Sequence, residues 1–384
     1  MTRVWVRWLP AVVVPAVIAV AVVAVPMQAG AAVDLPDKTA QEVLGLVSDS
    51  TVSSFSGTLE QTSNLGLPDL GSALSSMPSG SGDSETDAAA SAATTALELL
   101  TGSHTARVFA DGADNLRVQV IDSLNERNLI VNGDEVWFYD SETNEATHLA
   151  IPADVHADAR AELEDATAKA QAEAGAMPTP AELADRLLSD LDASTEVTVG
   201  TDTAIAGRDA YELRLTPRTD ETLVASASIF VDSETGMPLS VDVRAHGQED
   251  PAFRVAFTKV SFTAPDAALF AFTPPAGATV TEQALPEHDG NADHEALTEK
   301  DLSDLAAGDL PVTVTGEGWA AVAELPAGTV SAELTSSPLF AQLTTSVTGG
   351  ALFSTTLLNV LVTDDGRVLA GSVPVETLQA AAAE

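Results

Sequence analysis

Apolar and polar positions change period several times along this chain, and those changes mark its elements. Ala40, Val43, Leu44 and Val47 recur at helical spacing, which predicts a helix over 37–49. From Phe55 the pattern alternates, with Phe55 and Leu59 on one side, and predicts a strand to Ser63. Residues 64–103 break the alternation. They are rich in Ser, Gly, Ala and Pro and read as a flexible insertion with a short helix near 88–100.

Strands and turns return from His104 to Ala150. Thr105–Ala110 and Leu116–Ile121 flank Asp111-Gly112, and Asn128–Val131 and Glu135–Tyr139 flank Asn132-Gly133. Both dipeptides favour the left-handed turns that close hairpins. Trp137 and Tyr139 share one side of their strand, Val136 and Phe138 the other. Two helices are predicted next, over 154–175 and 181–191. The second has Thr179 and Glu182 as a capping box with Pro180 at its first position.

Alternation resumes at Glu196. Strands are expected at Thr203–Ala206, Asp209–Thr216, Leu223–Val231, Leu239–Arg244 and Ala252–Val260, with a turn at Asp232–Gly236. Residues 281–299 are acidic and irregular and read as a linker. The remainder, 300–384, reads as a small α+β unit. Its expected parts are a helix at Leu302–Leu305, strands at Val312–Thr315 and Trp319–Val322, and a helix over about 330–345. A strand at Leu352–Val362, a turn at Asp364–Gly366, a strand at Arg367–Gly371 and a short helix from Val375 follow.

Many hairpins imply an antiparallel sheet with one covered face. The fold class expected is therefore α+β: an incomplete antiparallel β-barrel wrapped over lid helices in residues 33–280, followed by the small C-terminal domain. Phe55, Leu59, Leu116, Val118, Val120, Trp137, Tyr139, Leu213, Leu215, Ile229, Val231, Val241, Phe253, Val255 and Phe257 are the candidate lining of a hydrophobic concave side. Their assignment to one face rests on alternation, which a single-residue bulge reverses.

The N-terminus carries Arg3 and Arg7 ahead of an apolar run from Leu9 to Val25. Small residues at Ala29 and Ala31 offer a cleavage pattern, with Ala31 the expected cleavage point. Two readings stay open for residues 1–31: a cleaved signal peptide, or an uncleaved anchor that brings the protein against the membrane. Either puts the folded part outside the cytoplasm.

Charge and chemistry narrow the function. The 384 residues hold 17 Lys and Arg against 57 Asp and Glu, a formal charge of −40. A polyanion would be repelled, so nucleic acid is excluded as a partner. There is no cysteine, hence no disulfide, thiolate nucleophile or lipidated cysteine. His104, His148, His156, His246, His288 and His294 match no helical metal spacing. No nucleophile elbow or nucleotide-binding loop occurs, and carboxylate pairs carry little meaning in so acidic a chain. No catalytic residue, metal site or cofactor is expected.

The order of elements has a further meaning. A helix precedes F-x-G-x-L-E-Q at 55–61; hairpins lead to N-G-D-E-V-W-F-Y-D at 132–140; I-F-V-D-S-E-T-G-M-P-L-S-V at 229–241 and F-A-F-T-P-P-A-G-A-T-V at 270–280 close the region. Residues 37–280 thus resemble the LolA-like superfamily, specifically actinobacterial relatives of LolA and of the N-terminal domain of RseB/MucB. The resemblance implies helices forming a lid over a cavity for acyl chains, in a non-catalytic carrier of lipids or lipoproteins. The alternative it implies is an envelope-stress regulator that binds a membrane anti-sigma factor, since a second domain after the first is the RseB arrangement. Arg117 stands where LolA relatives often carry a basic strand residue, which makes it a candidate polar group of the cavity. The chain departs from LolA in its length, its insertion at 64–103, its C-terminal unit and its acidity.

Overall fold

The structure, a computed structural model, describes residues 33–66, 103–121, 125–151, 194–283, 312–330, 335 and 338–383. The N-terminal segment, nearly all of the 64–103 insertion, the helices at 154–175 and 181–191 and the helix at Leu302–Leu305 lie outside the described residues, as does most of the 281–299 linker.

Helix α1 spans Ala40–Ser48. Thr39 caps it: the Glu42 backbone N–H donates to Thr39 Oγ1, and the Thr39 backbone N–H donates to the Glu42 carboxylate at 2.8 Å. These reciprocal bonds satisfy two amides that the first turn would otherwise leave open. Val43 is wholly buried and meets Tyr211, Leu213 and Val231.

The large sheet comprises β1 (Ser54–Ser63), β2 (Ser103–Asp111), β3 (Asn115–Ile121), β4 (Glu126–Asn132), β5 (Glu135–Asp140), β6 (Glu145–Ala150), β7 (Thr195–Val199), β8 (Thr203–Ile205), β9 (Arg208–Pro217), β10 (Val224–Asp232), β11 (Pro238–Ala245), β12 (Phe253–Ser261) and β13 (Thr279–Gln283). Their order is β13-β6-β5-β4-β3-β2-β1-β12-β11-β10-β9-β7, with β8 beside β9. β13 and β7 are its two edges, so the sheet is not closed into a barrel. All pairings are antiparallel except β13 with β6. Thr281, Glu282 and Gln283, expected at the head of the linker, belong to that parallel strand.

The expected hairpin turns follow β2, β4 and β10. In the last, Gly236 has φ +72°, and a Cβ there would stand 1.8 Å from the Leu46 carbonyl oxygen. Only glycine lets this turn reach the end of α1.

A second sheet holds β14 (Thr313–Thr315), β15 (Val322–Leu325), β16 (Thr344–Val347), β17 (Gly350–Ser354), β18 (Asn359–Thr363) and β19 (Val368–Gly371), in the order β14-β15-β19-β18-β17-β16. Helices α2 (Pro338–Leu343) and α3 (Val375–Ala382) accompany it. Val322, Leu361, Leu369, Val373 and Leu378 form its core. Three sequence expectations change here. Residues 318–320 form a tight helical turn instead of a strand. The helix expected over 330–345 gives way to β16 at Thr344. The strand expected over Leu352–Val362 is a hairpin, bent where Thr355 accepts backbone N–H bonds from Leu357 and Leu358.

The two sheets touch directly. The backbone N–H of Leu223 and the hydroxyl of Thr222 both donate to the Ser372 carbonyl, and the Thr356 N–H donates to the Leu65 carbonyl at 3.0 Å. Trp319 and Leu357 pack on Val224, Ala227, Val243, Phe253 and Val255.

Candidate functional site: an apolar sheet face

Residues directly opposite in an antiparallel ladder point to the same side of the sheet. Phe55 stands opposite Ala110, which stands opposite Leu116, then Val131 and Val136. One row along lie Gly57, Val108, Val118, Leu129 and Phe138; the next holds Leu59, Ala106 and Val120. Beyond β1, Leu59 faces Phe257. Val255, Val241, Ile229 and Leu213 make one further row, and Phe253, Val243, Ala227 and Leu215 another. Val231 lies opposite Tyr211 on the same side. The register therefore brings every candidate lining residue onto one face except Trp137 and Tyr139.

This face has two halves. From β12 to β9 it is packed. α1 covers Tyr211, Leu213 and Val231, and Trp319 sits on Phe253 and Val255. From β3 to β5 it is less enclosed, and it is apolar except in the row of Val120, which continues into Arg127 and Asp140. Leu116, Val118, Val120, Leu129, Val131 and Val136 are half-buried, and Phe138 is 47 % exposed. None of these side chains carries a polar atom.

Trp137 and Tyr139 belong to the opposite face, with Ile130, Asn128 and Arg117. A strap from β12 to β13 crosses it. Phe272 in the strap lies 5.4 Å from the Trp137 ring and 5.7 Å from that of Tyr139, and Phe270 is buried. Arg117, expected among the cavity's polar groups, is on this side too. Its Nη1 donates to the Leu269 carbonyl at 2.9 Å, and its Nε and Nη2 donate to Asn128 Oδ1. Its guanidinium fixes the strap and points away from Val118. β5 is apolar on both sides, with Trp137 and Tyr139 against Phe272 and Val136 and Phe138 on the open face, and alternation cannot choose between them.

The strap ends where β13 pairs with β6. There His148 stacks on Trp137 at 4.1 Å, with Nδ1 2.7 Å from Glu282 and Nε2 against Glu135. A neutral imidazole has one N–H and can serve one carboxylate as donor; two carboxylates favour the imidazolium. Burial pushes the pKa of His148 down, but the two carboxylates outweigh it and hold it above the ordinary value.

Across β9–β12 the same opposite face is polar yet buried. Ser228 and Arg214 donate to Glu212 at 2.7 and 2.8 Å. Arg254 and Ser240 donate to Asp242 at 2.7 and 3.0 Å, and Arg208 grips Asp232. Each buried acid here has a guanidinium partner, which is what its burial requires. The Arg254–Asp242 and Arg208–Asp232 pairs tie strand to strand, the Arg214–Glu212 pair lies within β9, and none supplies an activated nucleophile.

Among the described residues no group of three or more acids and histidines is placed to hold a metal ion, and no helix is long and apolar enough to cross a membrane. His288 and His294 lie outside the described residues.

No protein-family model matches the chain, and no curated protein matches it. Solved structures do. The chain is similar to MucB of Pseudomonas aeruginosa in the MucA/MucB complex, at 16 % identity and TM-score 0.42, over 89 % of this chain and 96 % of that one. It is similar to an uncharacterised conserved protein from Thermus thermophilus, at 13 % identity and TM-score 0.33, over 64 % and 99 % of the two chains. It is also similar to a LolA superfamily protein from Nitrosomonas europaea, at 9 % identity and TM-score 0.21, over 62 % and 99 %. At such identities and scores these likenesses assign no activity.

Proposed function

We propose that this protein is a non-catalytic extracytoplasmic carrier that takes acyl chains of lipids or lipoproteins on the β3–β5 half of the apolar face. One observation carries this reading: the register aligns aliphatic side chains from three adjacent strands on a face that stays half-open at Phe138 while its other half is packed. An acyl chain suits the rows of Leu116 and Val118, whose side chains across β3–β5 offer neither hydrogen bonds nor charges. Each buried methylene contributes about 0.8 kcal/mol, so several would hold a chain with no ion or nucleophile. The acidity of the protein favours gripping a lipid by its tail over contact with an anionic headgroup.

The binding domain runs from residue 33 through β13 at Gln283, a half-barrel with the helices expected at 154–175 and 181–191 as its lid; residues 284–299 link it to the domain at 300–384. Cleavage at Ala31 releases the protein outside the cytoplasm.

A second reading, a regulator that binds an anti-sigma factor, has its own observation. β14 is an edge strand of the second sheet, and Val312 and Val314 beside and within it are 42 % and 38 % exposed. Edge strands with exposed apolar side chains accept a strand from a partner.

Native mass spectrometry of protein purified without detergent tests the first reading. Co-purifying lipid that leaves on delipidation is the expected result. Lipid-free protein that also fails to displace a fluorescent fatty acid would overturn it.

A further inference from the structure

We infer that Phe55, Phe257 and Leu59 form a continuous wall along β1 that ends the acyl site and limits how much of a chain it accepts. The inference rests on the carrier reading and adds a length limit to it.

Three observations build the wall. First, Phe55 and Leu59 pack in both directions. On one side they pack against Ala106 and Val108, as Leu116 and Val118 also do; on the other they pack against the buried cluster that holds Phe257 and Leu239. Second, alongside Phe55 to Leu59, β2 presents only small or short side chains to this face, Ala110, Val108 and Ala106; the larger His104 follows beyond Leu59, opposite Gln61. The larger β1 side chains therefore stand as a ridge beside it. Third, the ridge would have a gap at Gly57, and Phe257 fills it. A Cβ on Gly57 would lie 2.5 Å from the Phe257 ring, so that ring rests over the glycine. It meets Phe55 edge-on, at 6.1 Å between centroids and 85° between planes. The register shift between Thr58 and Leu59 pairs Gly57 with Val260 and Leu59 with Phe257, which brings the ring to the gap. The open aliphatic face lies on one side of this ridge and the packed core on the other.

A wall of this kind gives opposite outcomes for two substitutions. Phe257→Ala reopens the gap and lets a chain pass towards the core. Gly57→Ala puts a Cβ 2.5 Å from the ring and 2.8 Å from the Lys259 carbonyl oxygen, so it drives the ring off the glycine, expected towards the half-buried Val118 side, and presses β1 away from β12.

The experiment uses the full chain and a series of saturated fatty acids, from medium to very long, displacing a fluorescent fatty-acid probe. In the wild type, affinity is expected to tighten about fourfold per methylene and then level off. The levelling point should move to longer chains in Phe257→Ala and to shorter chains in Gly57→Ala. Circular dichroism checks that each variant is folded. If both are folded and level off where the wild type does, the wall is overturned. If the wild type binds no chain of any length, the carrier reading itself falls. A readout on the wild type stands apart from variant folding: a fatty acid photoreactive at its terminal carbon should label β2 and β3 peptides and spare Leu213 and Ile229. Label on those two residues would overturn the wall equally.

Discussion

Trp319 donates its indole N–H to Thr195 Oγ1 at 2.8 Å, and both residues are buried. This one bond joins the turn between β14 and β15 of the second sheet to β7 at the edge of the first, and the indole ring completes the packed half of the apolar face. Gly318 beside it has no room for a side chain, since a Cβ would stand 2.9 Å from Ser194. Trp319→Phe should keep most of the packing but remove the indole bond, leaving the Thr195 hydroxyl with Ser194 Oγ at 3.2 Å, at a cost of about 0.5–1.5 kcal/mol. Trp319→Ala should cost about 3–5 kcal/mol through the cavity it leaves. Urea unfolding of both variants checks the order; equal loss in the two would show that the hydrogen bond, and not the ring, carries the contact.

Asp232 and Asp242 should respond to acid in opposite directions. Burial pushes Asp232 up, but Arg208 and the Thr235 hydroxyl and amide outweigh it and hold it below the usual carboxylate range. Its contribution is present above the unfolded value and lost as pH falls through the folded one. Burial raises Asp242 beyond what Arg254 and Ser240 offset. Its contribution is present below the unfolded value and lost as pH rises through the folded one. Asp232→Asn should therefore reduce the loss of stability on acidification, and Asp242→Asn should steepen it. Denaturation midpoints across the acid range check both slopes.

His148 is expected to titrate above the ordinary histidine value. The stability it lends the β6–β13 pairing is complete below the unfolded value and lost as pH rises through the folded one. An imidazole titration followed by NMR, with hydrogen exchange of the β13 amides, reads both effects. Glu282→Gln should lower the titration point and speed that exchange. A titration at or below the ordinary value would contradict the assignment.

Much of this fold was legible because turn chemistry and alternation agree. Asp111-Gly112, Asn132-Gly133 and Asp232–Gly236 each close the hairpin expected of them. Alternation also gathered Phe55, Leu116, Val118, Leu213 and Phe257 onto one face, even across the register shift at Leu59. It failed where a strand is apolar on both sides. Nothing in V-W-F-Y at 136–139 says that Phe272 waits on the side of Trp137 and Tyr139. β13 escaped because a short parallel strand after Pro274 and Pro275 has no hairpin to announce it. In the second sheet, Leu352–Val362 reads as one apolar run because the bend at Thr355–Leu358 contains neither Gly nor Pro.

The central claim is that the β3–β5 face binds acyl chains, and neighbouring strands offer a matched pair of substitutions. Val118 is half-buried on that face, while Arg107 is exposed on the opposite one. Displacement of a fluorescent fatty acid is to be compared in Val118→Asp, Arg107→Gln and the wild type, each shown folded by circular dichroism. A carboxylate under the chain should weaken binding on the order of 100-fold, because a charge cannot be left without water or a partner. Arg107→Gln should bind as the wild type does. Equal binding by all three, or equal loss in the two variants, would contradict the site.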